Sequence, residues 1–206
     1  MKNRDVFINC PFSKDYEPLF QTIVFTILRA GFWPRCALEL DDSSDNRFDK
    51  ICRIIGECRL GVHDISKTEA DPKSKLPRFN MPLELGLFLA AKKFGDQKQS
   101  RKKCIIFDSE PYRYQAFLSD ISGQDIHAHR SKMSKLISEL ASWLRAETRD
   151  QKIPGGTAIN NEFRKFRKEL PALLKTIKLA KNEMTFPDYL KLAETWIITL
   201  AGFKAN

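Results

Sequence analysis

One acid stands out by its surroundings. Glu84 lies in Phe79-Asn80-Met81-Pro82-Leu83-Glu84-Leu85-Gly86-Leu87-Phe88-Leu89-Ala90-Ala91, where it is the only carboxylate in an otherwise apolar stretch. The spacing predicts a helix over Met81 to Phe94, with Pro82 at its start and Gly95 after it. That puts Glu84 in the first turn, where the helix dipole favours the charged form. A carboxylate so placed faces the strand ends where ligands bind in such sheets and can serve a ligand there. A first-turn Glu is also common as a simple complement to the dipole, and spacing leaves both readings open. Asp64 has the same ambiguity. It closes the run Leu60-Gly61-Val62-His63-Asp64-Ile65, and there it either faces a ligand or caps its own loop through an Asx-turn.

Other chemistries are not signalled. The chain has no Gly-x-Gly-x-x-Gly, no phosphate-binding P-loop and no Gly-x-Ser-x-Gly elbow. Its three histidines, His63, His127 and His129, have no Cys or Ser partner at a motif spacing, and the alternating His127 and His129 are expected to face solvent. The five cysteines are scattered without metal-ligand spacing, so neither a structural metal nor a disulfide framework is expected.

These groups need a scaffold, and the first 130 residues supply alternating patterns. Short apolar runs at Val6–Cys10, Phe32–Leu38, Leu60–Ile65, Cys104–Phe107 and Asp125–Ala128 read as strands. Helical stripes lie between them, at Leu19–Ala30, Phe48–Cys58, Met81–Phe94 and Tyr112–Ile121, and Lys132–Arg145 closes the series. Such an order predicts an α/β fold: a five-stranded, doubly wound parallel sheet of the flavodoxin-like kind. Ligands in these sheets bind beyond the carboxyl ends of the strands, where strand order reverses. The residues to inspect are therefore Asn9, Pro11 and Phe12 after the first strand, Glu39 to Asp42 after the second, Asp64 and Ser66 after the third, Asn80 at the start of the following helix, and Asp108 onward.

With 206 residues, 42% of them hydrophobic, the chain can bury a substantial core. Residues 1–147 form the expected α/β domain, 148–158 a polar linker, and 159–206 a helical appendage too small to fold alone. The net charge of +9 is uneven, since residues 130–206 hold 15 Lys/Arg against 8 Asp/Glu. A nucleic-acid surface is one reading of that excess. A solvated helix face is favoured, because Phe163 and Phe166 inside the basic cluster have helical spacing and are expected to pack inward. No apolar run approaches the roughly 18 residues of a membrane span, and the opening Met-Lys-Asn-Arg leads into a strand-like run. A soluble, cytoplasmic protein is expected.

The order of strand, His63-Asp64-Ile65-Ser66, loop and Glu84-Leu85-Gly86 resembles the nucleoside 2-deoxyribosyltransferases, in which the Glu of a Glu-Leu-Gly segment is the nucleophile. The same order is similar to that of NAD-cleaving Toll/interleukin-1 receptor (TIR) domains. Phe7-Ile8-Asn9-Cys10-Pro11-Phe12 resembles the TIR strand that begins Phe-Ile-Ser and turns into the site. The likeness covers residues 5 to 130. Asn9 stands where TIR strands usually carry Ser, and Asn80-Met81-Pro82-Leu83 stands where the deoxyribosyltransferases carry Gly and Thr. The resemblance implies an enzyme that cleaves an N-glycosidic bond, with Glu84 catalytic and Asn9, Pro11, Phe12, Asp64, Ser66 and Asn80 around the substrate. Arg35 or Arg78 meeting phosphate and Phe12 or Trp33 stacking on a base are further expectations. NAD would be the substrate rather than a cofactor, cleaved by hydrolysis or cyclisation, in a setting such as bacterial antiphage defence. A homo-oligomer or an activating partner protein is implied. The alternatives are deoxyribosyl transfer or nucleoside N-glycosidase activity, and a non-catalytic nucleotide-sensing or TIR adaptor module.

Overall fold

The computed structural model describes residues 2–39, 42–68, 70, 75–148 and 152–204. Five strands, β1 (Lys2–Asn9), β2 (Trp33–Arg35), β3 (Cys58–Asp64), β4 (Lys103–Asp108) and β5 (Ile126–Ala128), form one sheet in the order β2-β1-β3-β4-β5. Every pairing is parallel. This is the flavodoxin-like order expected from the alternation of patterns, with its switch point between β1 and β3. Among the described residues six α-helices accompany it: α1 (Glu17–Arg29), α2 (Arg47–Glu57), α3 (Asn80–Phe94), α4 (Met133–Thr148), α5 (Gly156–Thr176) and α6 (Phe186–Lys204). None of the helices among the described residues is long and apolar enough to cross a membrane.

The chain forms two compact units, Met1–Phe20 with Trp33–Lys132, and Gln21–Phe32 with Met133–Asn206. In the first, Val6, Phe7 and Ile8 are all buried, so β1 is covered on both faces. Helices α2 and α3 pack on one of them, where Phe7, Ile51, Ile54, Ile55 and Phe88 share a cluster. The Phe7 and Phe88 rings stack at 6.5 Å between centroids, and His63 meets both edge-on. Gly61 permits this approach, because a Cβ there would stand 2.8 Å from His63 Nε2 and 2.9 Å from the Phe88 ring.

Lys102 is fully buried against the same helices. Its ammonium donates to the carbonyls of Ile55 and Cys58 at the end of α2 and lies 4.6 Å from the Phe88 ring centroid. Burial lowers its pKa to about 8.

The stretch Tyr112–Ile121, expected as one helix, instead makes two 3₁₀ turns, Arg113–Ala116 and Ser119–Ile121. Arg113 accounts for much of the difference. Its guanidinium reaches back to Asp108 (2.8 Å), Thr68 (3.0 Å) and the Ile65 carbonyl (3.0 Å), tethering the segment to the ends of β3 and β4. Tyr112, held at φ 60°, also precludes a continuous helix start.

The second unit explains how the two C-terminal helices acquire a core. Phe25 of α1 packs against Phe163, Phe166 and Trp196 with ring centroids 5.2 to 6.0 Å apart. Arg29 pairs with Glu162 at 2.6 Å. Gly156 lets α5 approach α4, since a Cβ there would stand 2.6 Å from the Ser138 backbone. Phe163 and Phe166 point inward as their spacing predicts, while Arg164, Lys165, Arg167 and Lys168 are exposed. In the expected linker over 148–158, Thr148 ends α4 and α5 begins already at Gly156; residues 149–151 lie outside the described residues.

Replacing Lys102 by Ala removes two charge-assisted hydrogen bonds and opens a void beside Phe88. The expected loss is about 2 to 4 kcal/mol of unfolding free energy, read from urea denaturation at neutral pH.

Candidate functional site

A cleft of about 600 Å³ opens at the carboxyl edges of β1 and β3, at the switch point of the sheet. Its walls come from the turn after β1 (Cys10 to Ser13, and Asp15), the first residue of α2 (Arg47), the segment after β3 (Lys67, Ala70 and Arg78) and the start of α3 (Asn80, Met81 and Glu84). Five of the sequence-predicted residues therefore meet there: Pro11, Phe12, Arg78, Asn80 and Glu84. Phe12 is half-buried and braced edge-on by Phe20 at 5.3 Å.

Glu84 is only 8% exposed. Its carboxyl accepts no hydrogen bond among the described residues. Helix α3 begins at Asn80, a residue earlier than expected, so Glu84 lies just beyond the first turn rather than in it. The dipole fades over that distance, and burial dominates. Desolvation raises the Glu84 pKa to about 7, against a smaller opposing pull from the Arg47 charge.

The other predicted residues lie outside the cleft walls, packed under them. Asn9 is 1% exposed and uses its amide to join three elements. Its Nδ2 donates to the Met81 carbonyl at 2.8 Å and lies 3.0 Å from His63 Nδ1. Burial keeps His63 neutral, with a pKa near 3, so its Nδ1 can accept from the amide. Asn9 thus positions the first turn of α3 and belongs to the frame of the site.

Asp64 is fully buried. Its Oδ1 accepts from the Ser66 backbone N–H at 2.9 Å, the Asx-turn geometry, and its Oδ2 accepts from the Tyr16 hydroxyl. Ser66 is buried with it. His129, expected to face solvent, is 1% exposed, with Nε2 3.0 Å from Asp64 Oδ2. Its Nδ1 accepts from the Ser131 N–H at 2.9 Å. The loop after β5 folds this imidazole inward, an outcome that strand alternation does not encode.

Asp108, also fully buried, pairs with Arg113 and has one oxygen without a hydrogen bond. Burial raises its pKa despite that pairing.

Arg35 is committed elsewhere, bonded to Asp5 (2.9 Å), Glu39 (2.6 Å) and Glu57 (3.0 Å). Of the segment after β2, Leu40 and Asp41 lie outside the described residues. Trp33 is partly exposed at the start of β2 and is not part of the cleft wall. Arg47, Lys67 and Asp15 line the cleft without having been singled out in the sequence. Their signal was positional: Lys67 follows Ser66, and Arg47 follows Asn46, whose side chain caps α2. Among the described residues there is no group of three or more His, Cys, Asp or Glu suited to a metal ion.

No family model matches the chain, and no curated protein is similar to it in sequence.

The raised pKa has a consequence for stability. The folded protein binds the Glu84 proton more tightly than the unfolded chain does. The carboxyl therefore costs nothing below about pH 4.5, and its full destabilisation appears once pH has risen through about 7. Glu84→Gln is expected to be more stable than the wild type by about 1 to 3 kcal/mol at pH 8, with the gap closing towards pH 4.5. Urea unfolding of both proteins across that range measures it.

Proposed function

We propose that this cleft is the active site of a TIR-like enzyme that cleaves the N-glycosidic bond between nicotinamide and ribose in NAD. The observation that carries the reading is Glu84: a carboxyl in the cleft wall, desolvated and without a hydrogen-bonded partner of its own. Departure of nicotinamide leaves positive charge on the ribose carbon and its ring oxygen. A carboxylate close to that carbon stabilises the charge, and does so more strongly in a poorly hydrated wall than in water. Nicotinamide is cationic in NAD and leaves as a neutral base, so one carboxylate suffices. In hydrolysis, water then adds to the sugar carbon and releases a proton. A hydroxyl or base of the same molecule at that carbon gives a cyclised product.

Phe12 and Pro11 offer an apolar wall for a ring, and Asn80 a polar side chain at the rim. Asn9, Asp64 and Ser66 are assigned a supporting role, because their hydrogen bonds are made within the protein. Self-association or a partner protein as the trigger, and a role in antiphage defence, belong to the same proposal and rest on the resemblance alone.

The test is base release from NAD and, separately, from deoxynucleosides, using wild type and Glu84→Gln. Wild type is expected to consume NAD, and Glu84→Gln to be slower by about a hundredfold or more. The reactive form is the carboxylate, so kcat/KM is expected to rise with pH and level off above about 7. Deoxynucleoside cleavage with NAD untouched would assign the site to deoxyribosyl chemistry instead. Equal rates for both proteins would remove Glu84 from the mechanism.

A further inference from the structure

We infer that the outer face of α5, with the turn that follows it, binds the sugar–phosphate backbone of a double-stranded nucleic acid without reading its sequence. The residues involved all belong to the second unit, and none of them is in the wall of the Glu84 cleft.

The first observation is how α5 sorts its charges. At about 100° per residue, Arg164, Arg167, Lys168 and Lys175 share roughly 100° of the helix surface, and all four are exposed. The two acids of α5 lie on its other side and are occupied there. Glu162 pairs with Arg29 at 2.6 Å. Glu169 accepts from Trp196 Nε1 at 2.7 Å and pairs with Lys165 at 4.0 Å. Past the helix end the row continues with Lys178 and Lys181, both exposed. Among the described residues none of these six cations has an ion-pair partner. Glu183, the acid next to them in sequence, accepts from the Ala180 N–H of its own turn at 3.1 Å.

The arrangement does not serve the fold. Arg164 precedes Arg167 and Lys168 by one helical turn, a spacing at which like charges repel and destabilise the helix. A cation in the last turn complements the helix dipole, which accounts for Lys175, but Arg164, Arg167 and Lys168 are mid-helix and gain nothing from it. A polyanion relieves the repulsion.

The second observation is a recess of about 230 Å³ beside the row. Arg167, Lys175 and Lys181 line it together with Leu170, Pro171 and Leu174, and no carboxylate does. Three cations around one small recess suit a phosphate group.

The occupant follows from what the face lacks. An interfacial helix needs an apolar side for lipid, and that side of α5, with Ile159, Phe163, Phe166, Leu170 and Leu174, is buried in the protein. Single strands are held by stacking on exposed aromatic rings, and both aromatic residues of α5 are buried. A straight row of cations remains. Arg164 to Lys175 span about 16 Å of helix, against a duplex that presents a charge about every 1.7 Å of its axis.

The experiment is a fluorescence anisotropy titration of the full chain with labelled duplexes of about 20 base pairs, two helical turns, in two unrelated sequences and over a range of salt. The two sequences are expected to bind alike, and log K to fall against log salt with a slope of about −5. The triple variant Arg164→Gln, Lys168→Gln, Lys175→Gln is expected to bind at least about tenfold more weakly, with the slope reduced in magnitude by about 3. Its thermal midpoint is expected to hold or rise, because like charges are removed. Lys92→Gln, Lys93→Gln, Lys98→Gln removes the same charge from exposed positions of the first unit and is expected to bind as the wild type does. No duplex binding at low salt, wild-type affinity in the first variant, or equal weakening in both variants would each overturn the face as a binding site. Tighter binding to phosphatidylserine vesicles or to polyglutamate than to the duplexes would overturn nucleic acid as its occupant.

Discussion

Withdrawing a carboxyl from water without giving it a hydrogen bond costs free energy, and Glu84 is held in that state. The nearby Arg47 charge offsets only a smaller part of the cost, and the surrounding core supplies the rest. Phe7 and Phe88 stack across the interface of β1 and α3, His63 wedges between them, and Gly61 leaves the space for all three. The Asn9 amide then ties the Met81 carbonyl to the end of β1. The helix is thus fixed one turn before Glu84 by a hydrogen bond and one turn after it by aromatic packing. Both constraints hold the carboxyl in the wall of the cleft.

The carboxyl edge of the sheet holds two kinds of acid. Asp64 and Asp108 are fully buried and bonded to the protein, through Tyr16, the Ser66 N–H and Arg113. They fasten loops to strand ends. Glu84 shares their burial but not their bonding, and it borders open space. Hydrogen-bond satisfaction, more than position along the strand edge, separates a structural acid from one left available to a substrate. Asn9 shows the same separation, since its amide is consumed within the frame.

The alternation of apolar runs made the sheet legible, because buried parallel strands need continuous apolar sequence and parallel connections need helices. Glu84 was legible as an acid in an apolar helix. Its environment was less so: helix α3 begins at Asn80, and one residue decides whether dipole or burial dominates. The direction of Asp64 was not legible, because a residue at a strand end can turn towards its own loop or the ligand side. Arg47 and Lys67 approach the cleft through loop geometry that leaves no periodic trace. The 112–121 segment misled for a related reason. Its apolar spacing is helical, but Arg113 is drawn back to β3 and β4 by contacts remote in sequence. The C-terminal helices were legible as helices, while their shared unit with Gln21–Phe32 depends on contacts more than a hundred residues apart.

The most direct measurement is the titration of the Glu84 side-chain carboxyl itself, followed by its carbon chemical shift in labelled protein and assigned by its disappearance in Glu84→Gln. The account predicts a midpoint near pH 7. A midpoint at an ordinary glutamate value, near 4.5, would mean a hydrated or hydrogen-bonded carboxylate and would contradict the desolvated acid on which the site depends.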